Sequence, residues 1–198
     1  MDNATAKKIY AKYHRVADEA MHVGPPLDLS FKNANSLDEL LNRRVHAHRT
    51  GKRPDKSCGN RYLTSTLWLS NNLFASTAKL EDLANNFLEK PLDLRWLDLS
   101  YNRIHNLDDD LVKFKSLKIL YLHGNAINDM KSIVKLRYLP NLRSLTLYGN
   151  PIEKSPCYRR YVVAILPHIS NLDFSPVIDT EKKRALPTGF HKTIRPAL

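Results

Sequence analysis

The chain has only two cysteines in 198 residues, Cys58 and Cys157. That is too few for a disulfide framework to stand in for a hydrophobic core, and two free thiols in a reducing compartment are expected. No apolar run approaches the roughly 18 residues of a membrane-spanning helix, and the N-terminal MDNATAKKIYAKYHR lacks an apolar signal region. A soluble cytoplasmic protein without a membrane partner is expected. Missing too are GxGxxG, P-loop, HExxH, GxSxG and CxxC patterns, so neither enzyme chemistry nor a cofactor is expected. His46 and His48 stand two residues apart with Cys58 as the nearest further ligand, and they read as part of a basic linker rather than a metal site.

What the chain does have is a repeat. LxxLxLxxNx(I/F/L) occurs as LRWLDLSYNRI from Leu94, LKILYLHGNAI from Leu117 and LRSLTLYGNPI from Leu142. A fourth copy, TSTLWLSNNLF from Thr64, puts Thr in the first leucine slot and Phe74 in the last apolar one. The start-to-start offsets are 30, 23 and 25 residues. This spacing predicts an α/β fold: a leucine-rich repeat solenoid with a parallel concave sheet, convex helices of unequal size and a helical C-terminal cap. Leu94, Leu97 and Leu99 should point inward and stack on their counterparts in the next repeats. Asn72, Asn102, Asn125 and Asn150 fall where each strand ends, and a structural ladder of amide hydrogen bonds is expected there.

Four segments are expected. Residues 1–24 carry Ile9, Tyr13, Val16 and Ala20 at helical spacing, an amphipathic helix stopped by Gly24-Pro25-Pro26. Residues 25–62 hold PPLDLSF, a capping box at Ser36 to Glu39 and a basic linker; they are expected to cover the solenoid's N-terminal end. Residues 63–176 are the repeats and cap. In the first repeat Leu80, Leu83, Ala84, Phe87 and Leu88 form one helical face; later, Ser155-Pro156 should open the cap helix and Asp108, Asp109 and Asp110 a convex helix. Residues 177–198 are a basic tail.

The net charge of +11 is uneven: the repeats are nearly neutral, whereas residues 42–61 carry +6 and residues 181–198 carry +4. Arg43, Arg44, Arg49, Lys52 and Arg53 in one arm and Lys182, Lys183 and Arg184 in the other suit an acidic surface, either tubulin-like or nucleic acid. Side chains alternate along each strand, so the residues between the inward leucines face the concave side. These include Trp68, Trp96, Asp98, Ile119, Tyr121, His123 and Tyr148, with Tyr101 beside them, and they form the candidate partner-binding surface. Tryptophan and tyrosine are frequent interface hot spots. Two occupants stay open for it, a separate protein or a flanking segment of the same chain such as the N-terminal helix.

YRRYVVAILPHISNLDF resembles the C-terminal cap of several intracellular leucine-rich repeat proteins, among them a phosphatase regulator, an axonemal dynein light chain and a spliceosomal A-prime subunit. From residue 25 to 176, PPLDLSF before TSTLWLSNN, then WLDLSYN, LYLHGN, LRSLTLYGNP and NLDFS resemble the leucine-rich repeat-containing protein 51 family. That resemblance implies a non-catalytic scaffold, a structural adaptor of the ciliary axoneme with a protein on its concave face and tubulin or an axonemal complex on its arms. The alternatives are a ribonucleoprotein component, with the arms on RNA, or a phosphatase-regulatory subunit.

Overall fold

The computed structural model describes residues 25–42 and 52–191. The predicted N-terminal helix, Arg43, Arg44, Arg49 and the His46–His48 pair lie outside them. Among the described residues the sheet has seven strands in chain order: β1 (Leu27–Asp28), β2 (Thr66–Trp68), β3 (Trp96–Asp98), β4 (Ile119–Tyr121), β5 (Ser144–Thr146), β6 (Asn171–Leu172) and β7 (Ser175–Pro176). All pair in parallel except β6 with β7. Leu27, Leu67, Leu97, Leu120, Leu145 and Leu172 are register partners across six strands, and all are buried. Each such leucine is worth roughly 1.5–3 kcal/mol of burial, available only because its neighbours in the stack are present.

The amide ladder runs along the end of the strands. Asn102 Nδ2 donates to the carbonyls of Leu69 (3.1 Å) and Leu99 (3.0 Å), while its Oδ1 accepts from Phe74 N–H (3.2 Å). Asn125 and Asn150 repeat the pattern one and two coils later. Just before each ladder position the chain turns through positive φ, at Asn71 (56°), Tyr101 (52°), Gly124 (66°) and Gly149 (72°). At 124 only glycine fits: a Cβ there would lie 2.7 Å from the Tyr101 ring.

PPLDLSF, expected as part of a cap, supplies β1 and is itself a coil of the solenoid. Leu27 and Leu29 enter the core, Leu29 N–H donates to Trp68 O (2.8 Å), and Asn72 Oδ1 accepts from Lys32 N–H (3.0 Å). Thr64 takes the first leucine slot because its hydroxyl donates to Pro25 O across this junction (2.8 Å). Helix α1 (Leu37–Asn42) then buries Leu37 and Leu40. Its Glu39 N–H donates to Ser36 Oγ (3.3 Å), but the Glu39 carboxylate takes the N–H of Asn35 rather than that of Ser36.

The convex side carries α2 (Leu80–Phe87), α3 (Met130–Val134) and short 3-10 turns. Asp108 to Asp110 do not open an α-helix; a single 3-10 turn follows at Leu111–Lys113. Their carboxylates join adjacent coils instead: Asp108 accepts from Thr77 N–H (2.8 Å), Asp110 from Lys79 N–H (2.9 Å), and Asp109 pairs with Lys135 (2.9 Å). Cap helix α4 (Tyr158–Ile165) begins after Cys157, at φ 60°, two residues later than Ser155-Pro156 suggested. Both cysteines are free.

The tail is not a free arm up to residue 191. Helix α5 (Asp179–Lys182) is tied to α4 by Arg159–Glu181 (2.7 Å), Arg160 donates to Ala185 O (2.6 Å), and Phe190 is buried against Tyr161. Lys182, Lys183 and Arg184 therefore sit on a packed element, because Val177 and Phe190 on either side of them enter the core.

Candidate functional site

Three rows of side chains rise from the strands on the concave side. The middle row, in register across β1 to β5, reads Asp28, Trp68, Asp98, Tyr121, Thr146. The row before it reads Thr66, Trp96, Ile119, Ser144 and Asn171. Beyond the strand ends stand Ser70, Ser100, His123 and Tyr148. Edge-on aromatic contacts run from Trp68 to Trp96 (5.6 Å) and from Trp96 to Tyr121 (5.8 Å). Tyr121 then meets Phe174 (5.6 Å).

The C-terminal end of this face is filled by the chain itself. Asp173 and Phe174 have φ of 51° and 57°, the paired positive values of a tight hairpin turn, and β7 folds back antiparallel on β6. Phe174 thereby lies against Tyr121, His123 (5.9 Å) and Tyr148 (5.8 Å). His123 stacks on Tyr148 at 4.7 Å, meets Tyr101 edge-on at 5.1 Å and has Nδ1 2.8 Å from Thr146 Oγ1. Burial holds its pKa down to about 4, so it is neutral at physiological pH. The Tyr148 phenol is pushed up to about 12, first by burial and then by the Tyr101 phenol. Asp173 closes the ladder, accepting from the N–H groups of Leu147 (2.6 Å) and Tyr148 (2.9 Å) and from Tyr158 OH (2.8 Å).

The N-terminal end has a different chemistry. Asp28 and Asp98 flank Trp68, and each carboxylate Oδ1 accepts from the N–H of the serine two residues on, at 2.9 Å in both cases, and from its hydroxyl. Burial raises the pKa of the Asp98 carboxyl, opposed by these Ser100 bonds. The Nε1 atoms of Trp68 and Trp96 are shielded from solvent and have no hydrogen-bond partner among the described residues.

Of the residues expected on this surface, Trp68, Trp96, Asp98, Tyr121 and Tyr148 are half-buried there, and Tyr101 is exposed at its rim. Ile119 stands in register between Trp96 and Ser144 in the same row but is only 1% exposed. His123 is 7% exposed and belongs to the closed cluster, not to an accessible contact. Lys52 and Arg53 lie in the segment before the Lys56–Tyr62 bridge. Phe174 and Asp173 were not anticipated. Nor were Arg95, Lys118 and Arg143, which immediately precede β3, β4 and β5, Arg95 O accepting from Lys118 N–H and Lys118 O from Arg143 N–H. Their signal is the basic second position of LRWL, LKIL and LRSL.

Among the described residues there is no cluster of three or more metal-ligating side chains, and no helix is long and apolar enough to cross a membrane.

Residues 65–194 match the family model described as "Leucine-rich repeat". Leucine-rich repeat-containing protein 51 of Macaca mulatta is 43% identical over 162 residues, 81% of this chain and 83% of that protein. Its Homo sapiens counterpart is 42% identical over the same shares. Among solved structures, a chain of the Drosophila melanogaster SNF/U2A' complex is similar with a TM-score of 0.58 at 20% identity, over 92% of this chain and 91% of that one, which is a likeness of fold.

Proposed function

This chain belongs to the leucine-rich repeat-containing protein 51 family, and from that premise we propose that it is a scaffold whose aromatic concave face holds a partner protein. The observation that carries this reading is the half-buried Trp68–Trp96–Tyr121 edge. Indole and phenol rings left part-open on a rigid sheet offer large contact area at little entropic cost. The finer reading is an adaptor of the ciliary axoneme in the cytoplasm, with tubulin or an axonemal complex against the basic segments; the family resemblance supports it.

A second reading, a ribonucleoprotein component, is favoured by Arg95, Lys118 and Arg143 immediately before adjacent strands, which suit a phosphate backbone, and by an architecture shared with a chain solved in the SNF/U2A' complex. Fractionation of a tagged full-length chain from ciliated cells, by detergent and then stepwise salt, tests the pair. Retention in the detergent-resistant axoneme supports the adaptor; a nuclear, RNase-sensitive pool supports the ribonucleoprotein. In either pool Trp96→Ala should weaken partner affinity by about 2 kcal/mol, measured by titration of the captured partner. Unchanged affinity removes this face from the function.

A further inference from the structure

Asp28, Trp68 and Asp98 are direct neighbours across three strands, so an indole lies between two carboxylates about 5 Å to either side. Among the described residues neither carboxylate is in an ion pair. A cation over such an indole gains from the ring quadrupole and from both carboxylates. Beside it, two buried indole N–H groups have no acceptor among the described residues. The surface that fits here is apolar, with basic side chains along one flank.

Residues 1–24 have that chemistry. Ile9, Tyr13 and Val16 share one helical face, and Lys8, Lys12 and Arg15 each precede one of them, so the cations line a single flank of the stripe. The segment joins the described chain at Pro25, whose carbonyl accepts from Thr64 Oγ1 beside edge strand β1. It therefore starts next to the Asp28–Trp68–Asp98 row. As a helix, 24 residues reach about 36 Å, and six strands span about 24 Å, so the length is sufficient. Tethering also makes the contact intramolecular, with an effective concentration an outside helix would have to match.

We propose that residues 1–24 dock on the N-terminal end of the concave face, the Ile9–Tyr13–Val16 stripe on Trp68, Trp96 and Tyr121 and the basic flank toward Asp28 and Asp98. The occupancy rests on the concave face being the interaction surface, but its test is independent of any partner.

Trp68 and Trp96 are the only tryptophans of the chain, so intrinsic emission and acrylamide quenching report on this site alone. In the full-length chain, Ile9→Asp with Tyr13→Asp should shift emission to the red and raise quenching. A synthetic peptide of residues 1–24 added to that variant should reverse both saturably, and a peptide carrying Lys8→Glu, Lys12→Glu and Arg15→Glu should not. Unchanged emission in the variant overturns the proposal. An emission shift that follows protein concentration in the unaltered chain assigns the site to a second copy and overturns it equally. Loss of the Trp96→Ala effect on a captured partner, with these optical changes intact, would sink the scaffold reading and leave the docked segment standing.

Discussion

The two ends of the concave face are built on the same strands and finished differently. At the C-terminal end a hairpin turn brings Phe174 onto Tyr121, His123 and Tyr148, and His123 finds Thr146 at 2.8 Å. At the N-terminal end, among the described residues, two indole N–H groups have no partner and two carboxylates are answered by serines. A repeat protein must close both ends of its stack, yet closing the stack and filling the concave face are separate tasks. Here α1 buries Leu37 and Leu40 at the N-terminal end of the stack, a contribution to the core and not to the face above β1 to β3. The cap does both at the C-terminal end, because one turn of two positive-φ residues carries Asp173 to the ladder and Phe174 to the face.

Phe174→Ala should erase that difference. Removing a half-buried ring that touches three others is expected to cost about 2–3 kcal/mol of stability, read as a lower denaturant midpoint. Trp68→Ala at the opposite end should cost less stability and should act on binding instead. If the two variants melt alike, the ends are not distinct. Acid sharpens the same contrast. His123 titrates at about 4 in the folded chain, while an unfolded histidine titrates near 6.5. Between those values the unfolded state binds more protons, so stability falls as the pH drops from 6.5 toward 4. A loss of about 3 kcal/mol is expected once the pH falls to about 4. His123→Gln should flatten that dependence, and a wild-type slope retained in the variant would place the titrating group elsewhere.

Much of this was legible in the sequence, for a physical reason. Leucines and asparagines that must occupy equivalent positions in every coil repeat in register, so Leu97, Leu120 and Leu145, or Asn102 and Asn125, declare their roles by spacing. Residues that occur once do not. PPLDLSF looks like a cap because Lys32 stands in the ladder slot and a long segment separates it from the next coil. Phe174 looks like the end of a strand, since nothing local announces that a bulky residue adopts positive φ. The tail looks like a solvated arm because its charges outnumber Val177 and Phe190, the two residues that anchor it. The concave face was legible as a list of residues but not as two ends, because Ile119 and His123 alternate correctly and are nevertheless covered.

The smallest effect expected tests how the cap holds its turn. Tyr158 lies on α4, and its hydroxyl donates to Asp173 Oδ2 at 2.8 Å, while the other oxygen of that carboxylate takes the N–H groups of Leu147 and Tyr148. Burial and the neighbouring Asp173 charge raise the phenol's pKa, keeping it a donor across the accessible range. Tyr158→Phe removes one hydrogen bond and keeps the ring, so about 1 kcal/mol of stability should be lost. The sharper readout is local: amide exchange of Leu147 and Tyr148 should accelerate relative to Leu120 and Leu122, whose bonds lie farther from the cap. Uniform acceleration would mean that Tyr158 acts on the whole stack, and the C-terminal end would then owe its closure to the helix rather than to the turn.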